Sequence, residues 1–389
     1  MEGTVGGDKT ELVKISFPLS LPYVLELRTL SEIITENANI GHANAVDCTD
    51  MAAGKMDCGK AVVQNYFDVL EIDEKSCLRE ERGFTWWGED LAQRIWSDPP
   101  VLRDGTAVWK VHARTDFLTD FVDTESNLGY LSELASFASL GGGLIRDASR
   151  RNRIQLASCL YATEATLPWA KLFFPSTAAT QTAEAHLIAK MLPAIAGCSP
   201  AYSAHPVAGP ARQHRVLDLL GSFVREGKNA PVWTPEEFAE TAAELAAETY
   251  PISLSESGLT AEFPFRDSTA LGEMTTNVEH PSYGHGLLVR LVLPITLSDA
   301  EDPQIVLRCN RFEIHSLTPV SHFTGSYYIG EEGFCYSNFF PNLPSFRGAP
   351  FLASLIRFMG LRAGWFAEAV GGDDWAEVEH EKKPPAWLN

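Results

Sequence analysis

The strongest constraint on the fold is an order of secondary-structure elements that this sequence contains twice. In the second half, the pattern predicts an amphipathic helix over residues 235–250, where Thr234 can cap the helix, Pro235 fits its first turn and Glu237 completes a capping box. The segments that follow are predicted as three strands, a short helix, a hairpin and a final helix, at residues 258–265, 268–280, 285–294, 300–313, 325–340 and 349–370.

The first half repeats this order, although the two halves share little sequence identity. Its candidate strands FTWWG, LAQRIWSDPPV and GTAVWKVHART precede a predicted helix at 127–140, a hairpin at 143–162 and an Ala-rich helix at 178–196. A further helix near residues 59–70 is a candidate for the opening helix of this half. The repeat predicts an α+β fold made of two tandem units, each an antiparallel sheet packed by helices.

The same pattern predicts where the chain divides. The predicted segments are a partly helical N-terminal extension at 1–80, a first unit at 81–200, a linker with one helix at 201–233, a second unit at 234–370 and a solvated tail at 371–389. The tail is predicted to be solvated because its charge and proline leave little apolar surface to bury.

The net charge of the chain limits the classes of binding partner that we expect. The chain of 389 residues has 31 basic and 51 acidic side chains, and its net charge is −20. Such a balance opposes binding to nucleic acids and to anionic membranes, because both depend on Lys and Arg. The seven cysteines lack the close spacing of a zinc ribbon and favour free thiols in a reducing compartment. The N-terminus lacks the pattern of a secretion signal, so we expect a cytoplasmic protein.

A metal-dependent hydrolase is the rival interpretation. Glu279, His280 and His285 offer three potential ligands within seven residues of the sequence. A structural zinc site normally shows paired ligands at close spacing, and here no second pair accompanies the two histidines. A turn between two strands explains the His-Pro and Gly residues more simply. We therefore predict no metal and no cofactor, and no catalytic residues, since the chain also lacks a G-x-S-x-G elbow.

Aromatic side chains are the remaining candidates for a binding surface. Trp86 and Trp87 are adjacent in a predicted strand, so their rings must point to opposite faces. We expect one ring in the core and the other toward solvent, a domain interface or a ligand. The candidate partner-binding residues, all aromatic, are Trp86, Trp87, Trp96, Tyr327, Tyr328 and Phe340.

The repeated order resembles a known architecture, carried by residues 86–96, 258–265, 279–294 and 339–366. It is similar to the type III secretion chaperone-like superfamily, and two such units in one acidic chain resemble the tandem bacterial proteins called TY-Chap-like. The resemblance covers residues 81–370. It implies an antiparallel sheet with helices on one side, no catalytic residues, and binding of an extended segment of a client protein.

We therefore expect a non-enzymatic, chaperone-like interaction protein that binds a peptide segment through apolar surfaces. The two units are expected to form an internal pseudo-dimer, or the chain a homodimer. The alternatives are the metal-dependent hydrolase centred on Glu279, His280 and His285, and a regulatory scaffold without chaperone activity.

Overall fold

A computed structural model describes residues 56–103, 106–147, 152–209, 233–248, 250–295, 304–315, 322–343 and 346–371. The helices predicted within 1–55 and 210–232 and the tail after residue 371 lie outside the described residues. No helix in the described ranges is long and apolar enough to cross a membrane.

The first sheet contains the strands of the first half of the chain. Its elements are α1 (Cys58–Val69), β1 (Cys77–Glu80), β2 (Gly83–Trp87), β3 (Ala92–Ser97), β4 (Val101–Arg103), β5 (Thr106–Thr119), α2 (Glu125–Ser136), β6 (Gly143–Arg146), β7 (Ile154–Ala162), α3 (Leu167–Met191), α4 (Pro193–Ala196) and β8 (Ser199–Pro200). The strands lie in the order β1-β2-β3-β5-β7-β6, and β4 and β8 pair with β5. Each of these pairs is antiparallel.

The second sheet is built from the second half. Its elements are α5 (Pro235–Glu244), β9 (Ile252–Ser255), β10 (Gly258–Phe265), β11 (Ser268–His280), β12 (Gly284–Leu293), α6 (Gln304–His315), β13 (Ser326–Gly330), β14 (Gly333–Pro341) and α7 (Ala349–Gly371). The strands lie in the order β13-β14-β12-β11-β10-β9, and every pair is antiparallel. The predicted α+β class is confirmed.

Each sheet has a short strand that the sequence pattern did not predict. β1 and β9 are four residues long and precede the three strands that were predicted. Both are largely exposed, so neither has the alternation of buried and exposed residues that identifies longer strands. Helix α1 and strand β1 also lie before residue 81, where the first unit was predicted to begin, yet they belong to the first sheet and its helix layer.

Helix α3 is longer than the Ala-rich segment that predicted it. It begins at Leu167 and contains Pro175, which has no N–H to donate to the carbonyl of Lys171 four residues earlier. The amide of Asn65 on α1 donates to that carbonyl instead, at 2.7 Å. A side chain from a different helix thus satisfies the acceptor that the proline leaves open, and the helix continues through it.

The two sheets are joined by an exchange of helices. Helix α2 packs on β13 of the second sheet, and helix α6 packs on β6 of the first. Ser132 on α2 accepts a hydrogen bond from the Ile329 backbone N–H at 3.2 Å, and Asn310 on α6 donates to the Leu144 carbonyl at 2.9 Å. One hydrophobic cluster contains buried residues from both helices and from both sheets. The exchange covers one edge of each sheet.

Candidate functional site

The adjacent tryptophans of β2 lie on opposite faces of the first sheet, and both are covered. Trp86 packs edge-on against Tyr66, and its indole N–H donates to Gln93 Oε1 at 2.8 Å. The indole N–H of Trp87 donates to Ser203 Oγ at 3.1 Å, and its ring contacts the His205 ring at a centroid distance of 5.2 Å. They are only 5% and 8% exposed, so neither presents a free aromatic surface to a partner.

The remaining aromatic candidates are not gathered into one surface. Tyr327 and Phe340 are buried in the core of the second sheet, and Tyr328 is buried beneath the exchanged helix. Trp96 differs from them because it is half-buried on the outer face of the first sheet, the face opposite α1 and α3. Its ring stacks on His112 at 4.6 Å between centroids.

The three residues of the rival metal site do not converge. Glu279 and His285 are exposed and pair across β11 and β12, whereas His280 points to the opposite face and is buried. Both ring nitrogens of His280 are engaged, Nε2 with the Phe137 carbonyl at 2.9 Å and Nδ1 with the Ser282 N–H at 3.1 Å. Burial lowers the pKa of His280 to about 4. Among the described residues no group of three or more His, Cys, Asp or Glu side chains could hold a metal.

A small cavity lies between α3, α7 and the second sheet, but it is too small for an organic ligand. It encloses about 30 Å³, about enough for a single water molecule. Arg362 in its wall donates to Glu313 at 2.6 Å, and both side chains are 2% exposed. The Tyr327 hydroxyl donates to the same carboxylate at 2.6 Å. This buried network leaves Arg362 already paired.

Strand β9 forms an outer edge of the second sheet. It joins β10 through a turn of two residues, because Ser255 pairs with Gly258. In a hairpin of this kind, alternate residues exchange main-chain hydrogen bonds with the neighbouring strand. Ser255, Ser253 and Pro251 therefore bond toward β10, and the bond from the Glu262 N–H to the Pro251 carbonyl, at 3.0 Å, follows this alternation.

The main-chain groups of Ile252 and Leu254 consequently point away from the sheet. No other strand in the described part of the chain pairs with this side of β9. Leu254 is 51% exposed, and Ser253 and Ser255 beside it are exposed as well. The edge thus presents N–H and C=O groups and an apolar side chain, and β9 itself contains neither a charged residue nor a proline that would prevent another strand from pairing with it.

The β1 edge of the first sheet is protected. Strand β1 also joins its neighbour through a two-residue turn, so Cys77 and Arg79 face outward. The Cys77 carbonyl is bonded to His205 Nε2 at 3.2 Å. The Arg79 guanidinium lies 3.6 Å from the centre of the Phe67 ring and pairs with Glu74 at 2.7 Å. Charged side chains and a bonded carbonyl therefore protect this edge, whereas the described residues provide neither protection at β9.

Comparisons of the chain with protein-family models, with curated proteins and with solved structures find no match. The β9 edge was not among the sites that the sequence predicted, because the alternation of Ile252 to Ser255 covers only four residues. Its one sequence signal is the turn Ser255 to Gly258 before a strongly alternating strand, which is typical of a hairpin.

Proposed function

We propose that this chain is a non-enzymatic protein-interaction molecule of two tandem secretion-chaperone-like units, and that it binds an extended peptide segment at the β9 edge. Three features support this proposal: the strand register, the helix exchange and the chemistry of the β9 edge. The observation that carries the proposal is that the main-chain groups of Ile252 and Leu254 point away from β10 and pair with no other strand in the described part of the chain.

The register supports an internal repeat. Read from its outer edge, the first sheet runs β1-β2-β3-β5-β7-β6 and the second β9-β10-β11-β12-β14-β13, so equivalent strands occupy the same places. Gly83 and Gly258 both follow the two-residue turn, and a Cβ on either would lie against a main-chain oxygen of the next strand, 2.2 Å from that of Ile95 and 1.8 Å from that of Met274. The same steric requirement at the same position is expected of two copies of one fold.

The helix exchange supports an internal pseudo-dimer. On the proposed repeat α2 is equivalent to α6 and β6 to β13, so each unit places its middle helix on the same strand of the other. Backbone contacts agree with this: Cys159 on β7 exchanges hydrogen bonds with Phe323 at 2.9 Å, and Phe339 on β14 donates to Ala138 at 3.1 Å. An internal pseudo-dimer covers β6 and β13 and leaves β1 and β9 as the outer edges.

Addition of a strand explains how a peptide would bind. The partner's backbone would pair with the N–H and C=O groups of Ile252 and Leu254, and its side chains would contact the exposed Leu254. The exposed carboxylates of Glu256 and Glu262 flank this edge, so a basic or neutral segment is favoured over an acidic one. The six described cysteines are buried free thiols, which suits the proposed cytoplasmic location.

The test selects peptides from a display library against the immobilised chain and measures their affinity by fluorescence anisotropy. Leu254→Pro removes one outward N–H and leaves the bonds between β9 and β10 intact. We expect it to weaken binding about tenfold or more, because an unmatched backbone group costs about 1–3 kcal/mol.

Arg79→Pro, at the equivalent position of β1, is the matched control and should leave the affinity unchanged. Hydrogen exchange of the Leu254 amide should slow when peptide is bound. Equal affinity for the native chain and the Leu254→Pro variant, or a library that yields no binder, would refute the proposal.

A further inference from the structure

Two arginines face each other on the outer face of the first sheet, where the second sheet has an ion pair. Arg94 on β3 lies directly opposite Arg114 on β5, whereas Glu273 on β11 lies opposite Arg290 on β12. The register makes these positions equivalent, since Arg114 is opposite Ala157 and Arg290 is opposite Ser337. Ala157 and Ser337 each pair in turn with the first residue of the next strand, Gly143 and Ser326. The first sheet thus has a cation where the second has an anion.

The second sheet shows the arrangement that satisfies an arginine at this place. Arg290 donates through Nε and Nη2 to Glu273 at 2.9 and 2.6 Å, and its Nη1 lies 3.1 Å from Glu332. Opposite charges on facing strands stabilise a sheet, and like charges directly opposite each other destabilise it. The two like charges of Arg94 and Arg114, directly opposite each other, therefore do not stabilise the sheet.

Arg94 has a carboxylate partner of its own, and Arg114 does not have one among its described contacts. Arg94 pairs with Glu80 at 2.6 Å. The described hydrogen-bonding partner of Arg114 is the neutral ring of His315, whose Nε2 lies 3.3 Å from Nη2. The Nε of Arg114 is buried and has no hydrogen-bond acceptor in the described part of the chain. Burial lowers the pKa of Arg114 to about 10, so the group remains charged at neutral pH.

The Trp96 ring lies close to both guanidinium groups. The Trp96 ring centre lies 4.9 Å from the Arg94 Cζ and 5.1 Å from the Arg114 Cζ. The last turn of α6 approaches from the other side, where Lys110 donates to the Ile314 carbonyl at 2.6 Å. Arg94 is 52% exposed and Trp96 is half-buried, so solvent reaches this cluster from the Arg94 side.

We propose that Arg114, together with Arg94 and Trp96, binds the oxyanion of a small carboxylate or phosphate on the outer face of the first sheet. The anion supplies the negative charge that Glu273 supplies to Arg290, and accepts from the buried Nε of Arg114. Guanidinium groups suit this task because their donors match the two oxygens of a carboxylate or phosphate. This site lies on the first sheet, whereas β9 is an edge of the second sheet, and it does not depend on peptide binding there.

The test measures the binding of inorganic phosphate and of glutarate by isothermal titration calorimetry, and their effect on stability by urea unfolding. Both are measured at constant ionic strength. Binding at about 100 times the dissociation constant should favour the folded state about a hundredfold. Arg114→Gln should lose this stabilisation, and Arg290→Gln, the matched control, should keep it. A second variant, Glu80→Arg with Arg94→Glu, keeps the cross-strand ion pair and supplies Arg114 with a carboxylate, so it should also lose anion binding.

The double variant keeps the test valid even where Arg114→Gln does not fold, because it retains Arg114. Binding of phosphate alone or of glutarate alone supports the site and identifies the oxyanion. The proposal is overturned by an absence of binding for both anions, or by equal binding to the native chain and the double variant.

Discussion

Glu184 gives the sharpest prediction about the joint between the two sheets. It lies on α3, where it accepts a hydrogen bond from the Ser139 hydroxyl at 2.5 Å, and the Tyr283 hydroxyl also interacts with it. Ser139 follows α2, and Tyr283 follows β11, so this carboxyl group joins elements of both sheets. Burial raises the pKa of Glu184 from 4.5 to about 7, although both hydroxyl contacts favour the charged form.

Because its pKa is raised in the folded chain, Glu184 lowers the free energy of unfolding at high pH. Below the unfolded pKa, Glu184 is protonated in both states and its titration costs nothing. As pH rises from 4.5 to about 7 the unfolded chain loses the proton first, so the free energy of unfolding falls, and above 7 the cost is complete. The difference of 7 − 4.5, at about 1.36 kcal/mol for each pKa unit, sets an upper value near 3 kcal/mol. Because the side chain is half-buried, we expect about 1–3 kcal/mol.

Glu184→Gln removes the titrating group and keeps an oxygen that can accept from Ser139. Urea unfolding at pH 5, 6, 7 and 8 should show the variant gaining stability relative to the native chain by about 1–3 kcal/mol over this range. Glu279→Gln, which changes an exposed carboxyl, is the control and should show no such trend. If the native chain and Glu184→Gln keep a constant difference from pH 5 to 8, the assignment of a raised pKa to Glu184 at the joint is wrong.

Two further substitutions test the packing of the second sheet. Glu313→Ala should lower the free energy of unfolding by about 3–5 kcal/mol in urea, because it leaves the Arg362 charge buried without its partner. A loss below about 1 kcal/mol would contradict that. Gly258→Ala should cost about 1–3 kcal/mol, because its Cβ would lie 1.8 Å from the Met274 carbonyl oxygen. Gly364→Ala, in α7 with nothing within 4 Å of its Cβ, is the control and should be neutral or stabilising in thermal unfolding.

The second sheet was the more predictable part of the fold, and the reason is local. Strands β10, β11 and β12 alternate buried and exposed residues over long stretches, so their period is readable from the sequence. Helix α5 was predicted from its cap, and both hydrogen bonds of the capping box between Thr234 and Glu237 are present. These features depend on neighbours in the sequence, and no distant residue is needed to interpret them.

The features that were missed depend on distant partners. The start of α3 was placed after Pro175, because nothing near that proline in the sequence indicates that Asn65 will satisfy the open carbonyl. Trp87 was a candidate for an exposed surface, yet Ser203 and His205 cover it from more than a hundred residues away. Burial of an aromatic ring on a strand is decided by what packs over it, and alternation shows only which face it occupies.

If the two sheets are copies of one fold, as proposed, then residues that differ at equivalent positions can indicate function. Positions at which both copies need the same residue, such as Gly83 and Gly258, are explained by the backbone that they share. Positions at which one sheet keeps an ion pair or a protected edge and the other does not are not explained by the strand order that the two sheets share. The uncharged edge at Leu254 and the cation at Arg94 are both of this kind, so each points to a requirement outside the fold: a partner strand at the first and an oxyanion at the second.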